Sequence, residues 1–205
     1  MGPSAADRAA APLAFDGSSS GIDGVLVVQR SPFADERGDF GRLFCEDVFG
    51  DRVIGTGRLP VRQVNLSRNA LAGTVRGLHV LLPPVVEHKV ITCVAGAIWD
   101  VAVDLRPGST TVGRWFAREL RGDEDRSLVI PPGVAHGYQV LEPDSRVLYL
   151  HSTSYRKELD AGVRADDPDI AIAWPLPVVG RSERDVALPT LSEHLALVAR
   201  LTDGG

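Results

Sequence analysis

The stretch VRGLHV, residues 75–80, sets a guanidinium and an imidazole three residues apart in an otherwise apolar run. Imidazole gains and loses protons near neutral pH, and guanidinium is a permanent cation shaped to grip an anion. Together they suggest proton transfer beside a bound anion. Residues three apart in a regular strand face opposite sides, so Arg76 and His79 share a site only if the chain is distorted between them. Gly77 is the residue that allows such a distortion. Two other uses of histidine stand beside this one. A histidine on an apolar strand also serves as a hydrogen-bonded core residue. The third use is metal binding. IPPGVAHGY, residues 130–138, carries Pro-x-Gly with two residues between it and His136, which is half of a metal signature. The other half needs two histidines one residue apart and then a glutamate, all on one sheet face. Here HVLLPPVVEHK puts Leu81 two residues past His79, and Glu87 and His88 follow a proline turn. The triad is broken, and a metal would have to use His79, His136 and His88.

The elements that must position these groups read as strands. VLVVQR, RLFCEDVF, VRQVNLS, TVRGLHV, HKVITCVAG, AIWDVAVDLR, RWFAREL, SLVIPPG, GYQVLEP and RVLYLHSTS are short runs rich in Val, Ile, Leu and aromatics. Gly, Pro, Asp and Asn separate them at the spacing of an all-β sandwich or barrel. AIWDVAVDL alternates, with Ile98, Asp100 and Ala102 on one face and Trp99, Val101 and Val103 on the other. CEDVFGDR predicts a brief helix closed by Gly50, and LSEHLALVARL a C-terminal helix. Residues 1–23 are rich in Ala, Ser, Gly and Pro without a sustained period, which predicts a flexible leader before a single domain over 24–205. The open mouth of a barrel or jelly roll is where inward polar side chains meet a ligand.

A chain of 205 residues, 44% of them hydrophobic, buries a substantial core. A net charge of -5 without a basic cluster argues against a nucleic-acid partner. Cys45 and Cys93, lacking CxxC spacing, read as reduced thiols of a cytoplasmic protein. No run approaches a membrane span, and the first residues do not have the pattern of a signal peptide.

Further stretches then line up in order: FADERGDF from Phe33, QVNLS from Gln63, RGLH from Arg76, the lysine of EHKV, and DVAVDLRPGSTTVGRW. PPGVAHGY, VLYLHSTSY, DDPDIAIAWP and SERD from Ser182 complete the series. Over about three quarters of its length the chain resembles the dTDP-4-dehydrorhamnose 3,5-epimerases and related sugar-nucleotide epimerases of deoxysugar pathways. The resemblance implies a cupin-type β jelly roll with short peripheral helices and a homodimer paired through N-terminal strands. It also implies a dTDP-linked 4-keto-6-deoxyhexose substrate, with no metal, no cofactor and no membrane partner. The 4-keto group acidifies the hydrogens on C3 and C5, and loss of one gives an enolate whose reprotonation from the other face inverts that carbon. Which of the two carbons reacts is not fixed by residue identity.

By the same resemblance His79 is the base, Asp185 its carboxylate partner, Tyr149 the acid across the sugar and Lys89 the cation at the keto oxygen. Read alone, these are also a core histidine, a helix cap, a core tyrosine and an edge-strand lysine. Arg37, Arg76, His136 and Arg184 match diphosphate and nucleotide positions. Gln63 and Asn65 share a strand face as two amides reading one ligand, Phe40 stacks on thymine, and Tyr155 packs near the sugar or base. Three positions depart from the family. Asp160 stands for glutamate, Arg42 stands for the glutamate of RGxFxE, and Gly137-Tyr138 replaces the usual Gly-Phe. Arg42 exchanges an acceptor for a donor-only cation, so nucleobase contacts there must differ.

Overall fold

A computed structural model of the chain describes residues 13–55 and 57–203. Its strands run Leu13–Asp16 (β1), Leu26–Arg30 (β2), Phe33–Asp35 (β3), Gly38–Phe40 (β4), Gln63–Asn69 (β5), Val75–Leu81 (β6) and Lys89–Ala95 (β7). They continue as Ala97–Asp104 (β8), Trp115–Arg121 (β9), Arg126–Ile130 (β10), Val134–Val140 (β11), Ser145–His151 (β12) and Asp160–Gly162 (β13). A six-stranded sheet has the order β1-β2-β10-β7-β12-β5, and a five-stranded sheet the order β13-β6-β11-β8-β9. The pairings between named strands are antiparallel, and β3 with β4 makes a separate hairpin. Non-consecutive neighbours in both sheets give the jelly roll of the cupin type.

Period-two alternation puts Ile91 and Cys93 of β7, Ile98 and Ala102 of β8, and Leu128 and Ile130 of β10 between the sheets as the main core. The opposite face of β8 is covered too. Val101 and Val103 pack with Leu78, Val163 and Ile170, flanked by Trp99, Trp174 and Leu191. The segment after β13 thus lies over the five-stranded sheet and lets it be apolar on both faces.

The C-terminal helix is present as Leu191–Asp203. It opens on a reciprocal cap in which the Glu193 side chain accepts from Thr190 N–H at 2.8 Å and Thr190 Oγ1 from Glu193 N–H at 3.3 Å. The expected helix in CEDVFGDR runs over Glu46–Phe49 (α1), but Gly50 does not close it. The chain continues through a π turn, Gly50–Ile54, and stops at Gly55 with φ 79°. RLFCEDVF is accordingly not a strand. Its aromatics plug the outer face of the six-stranded sheet, with Phe49 4.6 Å from Phe44 and 5.1 Å from Phe15 between ring centroids. Phe15 belongs to β1, which corrects the leader boundary. Leu13–Asp16 pair with Arg30–Val27 because Leu13 and Phe15 alternate onto that aromatic plug. Residues 1–12 of the expected leader lie outside the described residues.

Candidate active site

The pairing of β6 with β11 sets His79 opposite His136 and Arg76 opposite Tyr138. Three steps of β6 oppose two of β11, so β6 carries one extra residue, and Arg76 and His79 face the same cavity. Gly77 sits in the bulge at φ 106°. A Cβ there would stand 2.7 Å from both Gly137 Cα and the His136 carbonyl oxygen, a space only glycine fits. The cavity, of about 580 Å³, opens between Asn65 and Ser67 of β5, Lys89 of β7 and Tyr149 and His151 of β12 on one side, and β6 and β11 on the other. Asp160, Tyr155 and the turn carrying Ser182–Asp185 close its rim.

His79 Nε2 lies 2.7 Å from Asp185 Oδ1. A carboxylate only accepts, so this nitrogen carries a proton and the other ring nitrogen is the one that takes one. Asp185 is held in turn. It sits on the helix Glu183–Val186 (α2), capped by Ser182, whose Oγ accepts from Asp185 N–H at 3.0 Å. Its Oδ2 accepts from Gly77 N–H at 3.2 Å, tying the bulge to the pair. Burial pushes the Asp185 carboxyl up, but the bond and charge of His79 and the Gly77 amide outweigh it and keep it below its ordinary value.

Lys89 and Glu87 form a buried pair, Nζ to Oε2 2.7 Å. His151 Nδ1–H donates to the other Glu87 oxygen at 2.9 Å, and the Asn65 amide lies 3.4 Å from His151 Nε2. Burial raises the Glu87 carboxyl, and His151 and Lys89 together bring it below its ordinary value. The His151 ring stacks on Tyr149 at 5.9 Å with 5° between planes. The Tyr149 phenol is held well above its ordinary value, by burial first and then by Tyr138 and Asp100, so it keeps its proton.

His136 Nε2 lies 2.7 Å from Asp100 Oδ1, and its ring meets Tyr149 edge-on at 5.8 Å. Asp100 is fully buried, its carboxyl raised by burial against the opposing pull of His136, and its Oδ2 has no partner. The Tyr138 hydroxyl, whose partners the sequence left open, donates to Ser67 Oγ at 3.0 Å or Asn69 Oδ1 at 3.1 Å. Arg76 Nε–H donates to the same Asn69 oxygen at 2.8 Å. At the rim, Asp160 Oδ2 accepts from Tyr155 O–H at 2.7 Å and pairs with Arg184 Nη2 at 2.6 Å. Gln63 accepts from Tyr155 N–H at 2.8 Å and donates to Asn65 at 3.2 Å.

The cavity therefore gathers His79, Lys89, Tyr149 and Asp185 with Asn65, Arg76, His136, Tyr155, Asp160 and Arg184, and Gln63 adjoins it through two of them. Arg37, Phe40 and Arg42 do not line it. Arg37 and Phe40 border a shallow pocket of the β3–β4 hairpin, where Arg37 is paired with Asp35 and Phe40 is 57% exposed. The metal alternative lacks its ligand set. His88 does not line the cavity, and among the described residues no three His, Cys, Asp or Glu side chains come together as a metal site. Sequence reasoning missed Glu87, His151 and Asp100. The spacing of Tyr149 and His151, two apart on one strand, was the signal for one of them.

The family model for dTDP-4-dehydrorhamnose 3,5-epimerase matches residues 19–193. A dTDP-4-dehydrorhamnose 3,5-epimerase of Sinorhizobium fredii is 39% identical over 176 residues, covering 85% of this chain and 89% of the relative. A dTDP-4-dehydrorhamnose 3-epimerase of Streptomyces niveus is 36% identical over 171 residues, covering 82% and 81%. The crystal structure of a 4-keto-6-deoxy sugar epimerase from the novobiocin cluster of Streptomyces spheroides superposes with a TM-score of 0.83 at 33% identity, over 94% of this chain and 92% of that one. By sequence over most of its length and by fold, the chain belongs to the dTDP-4-dehydrorhamnose 3,5-epimerase family.

Proposed function

We propose that the protein epimerises a dTDP-linked 4-keto-6-deoxyhexose at C3, C5 or both, through an enolate, in deoxysugar biosynthesis. The observation that carries this reading is the 2.7 Å His79–Asp185 pair in one cavity with a phenol kept protonated. In this mechanism His79 takes the proton from the carbon beside the ketone, and Asp185 fixes its tautomer and stabilises the imidazolium. Lys89, oriented by Glu87, faces the 4-keto oxygen and lowers the energy of the enolate. Tyr149 then delivers its proton to the other face of the carbon. Arg76, His136 and Arg184 hold the diphosphate, with the amides of Gln63 and Asn65 and the half-exposed Tyr155 beside the sugar or base. A non-catalytic sugar-nucleotide binder has no use for a base, its carboxylate and an opposed acid.

We extend the reading to a cytoplasmic homodimer. Free Cys45 and Cys93 suit a reducing compartment, and among the described residues no helix is long and apolar enough to cross a membrane. Edge strand β5 leaves Val64 56% and Leu66 43% exposed, an apolar edge suited to a second copy. In such a dimer the hairpin residues Arg37, Phe40 and Arg42 approach the nucleotide of the partner's site. The test of function is incubation with dTDP-4-keto-6-deoxyglucose followed by NMR of the product. Inversion at C3, C5 or both is expected, and recovery of unaltered substrate would overturn the reading.

A further inference from the structure

We infer that His151 is a positioning residue that ties the nucleotide-reading amides of the cavity to its catalytic cation, holding Asn65 with one ring nitrogen and Lys89, through Glu87, with the other. The inference rests on the proposed epimerase reading, which leaves His151 without a task. Hydrogen bonds run without a break between the two ends. At the rim, Tyr155 N–H donates to Gln63 Oε1 at 2.8 Å, and Gln63 Nε2–H donates to Asn65 Oδ1 at 3.2 Å. Asn65 Nδ2–H then donates to His151 Nε2 at 3.4 Å, the longest link, and His151 Nδ1–H to Glu87 Oε1 at 2.9 Å. The other Glu87 oxygen accepts from Lys89 Nζ at 2.7 Å.

The direction of these bonds is fixed from both ends. A backbone N–H only donates, so Gln63 turns its oxygen to Tyr155 and its amide nitrogen to Asn65, which leaves the Asn65 nitrogen for His151. An ionised carboxylate only accepts, so the proton of neutral His151 sits on Nδ1, and Nε2 keeps the lone pair that Asn65 needs. Neutral imidazole offers a donor on one edge and an acceptor on the other, which suits the middle of such a chain. Stacking on Tyr149, 5.9 Å between centroids and 5° between planes, holds the ring in the orientation that serves both neighbours. Glu87 and Lys89 are both buried, so a Glu87 oxygen stripped of its partner is costly there and shifts the pull on Lys89.

The test is a pair of variants that each keep one half of the link. The amide of His151→Asn reaches the position of Nδ1 and still donates to Glu87, whereas that of His151→Gln reaches the position of Nε2 and still accepts from Asn65. Affinity for dTDP by titration calorimetry and kcat with dTDP-4-keto-6-deoxyglucose are measured for both variants and the wild type. In His151→Asn, affinity is expected to fall about tenfold and kcat less than about threefold, a tenfold change being the net worth of about one hydrogen bond. In His151→Gln the larger loss moves to kcat and the smaller to affinity. If one variant fails to fold, the split in the other decides. Losses that fall equally on affinity and kcat, are absent, or are exchanged between the variants would overturn the proposal while leaving the epimerase reading intact. A wild-type protein that binds dTDP but returns the ketosugar unaltered would overturn both.

Discussion

Asp185 accepts from the imidazole through one oxygen and from the bulge amide through the other, so it aligns the base and the backbone that carries the base. Asp185→Asn keeps the shape but presents an amide, which no longer fixes the tautomer or balances the imidazolium. Turnover is expected to fall by roughly 10²–10⁴-fold with KM little changed, measured by steady-state kinetics. Asp185 and Glu87 also set an acid limit on stability. Both carboxyls sit below their ordinary values of 3.8 and 4.5 in the folded protein. A group lowered on folding stabilises above its unfolded value, and that contribution is lost as pH falls through the folded one. The thermal midpoint is therefore expected to drop as pH goes below about 4.5, and Glu87→Gln to flatten that drop. Resemblance made the identities of His79, Asp185, Lys89 and Tyr149 legible in the sequence. Glu87 and Asp100 were not legible, because each is defined by a contact with a histidine far off in the chain, His151 and His136, and His151 was signalled only by its spacing from Tyr149.

At the scale of elements, the bulge in β6 decides whether arginine and histidine share a site. The sequence posed that condition correctly, since Gly77 is the distorting residue, but the cause lies in the partner strand. Gly137 of β11 approaches so closely that neither residue tolerates a side chain. Gly77→Ala is expected to destabilise the fold by about 1–3 kcal/mol and to lower turnover as Arg76 and His79 separate, read by thermal unfolding and kinetics. Runs of Val, Ile, Leu and aromatics between turn residues made nine strands visible, β2 and β5 to β12, because most of them bury at least one face. The short β1, β3, β4 and β13 were not visible, since three or four residues carry too little pattern. Gly50 misled for a different reason: it is helical, and a side chain there would collide with the Gly57 carbonyl.

At the scale of the molecule, two sheets packed on a common core leave the β5–β6 end open as a cup lined with paired charges. The three predicted nucleotide residues outside the cup all belong to the hairpin region, and the proposed homodimer would bring them together at the partner's site. Light scattering is expected to give twice the mass of one chain. Val64→Asp with Leu66→Asp should return the monomer mass, because facing charges on a buried edge are costly. The proposed chemistry turns on His79 lifting hydrogen from the carbon beside a ketone. The most direct measurement is NMR in D2O of dTDP-4-keto-6-deoxyglucose with wild-type protein and with His79→Asn. Deuterium is predicted to enter C3, C5 or both with the wild type and neither carbon with the variant, at unchanged dTDP affinity. Exchange by His79→Asn at close to the wild-type rate would contradict the account.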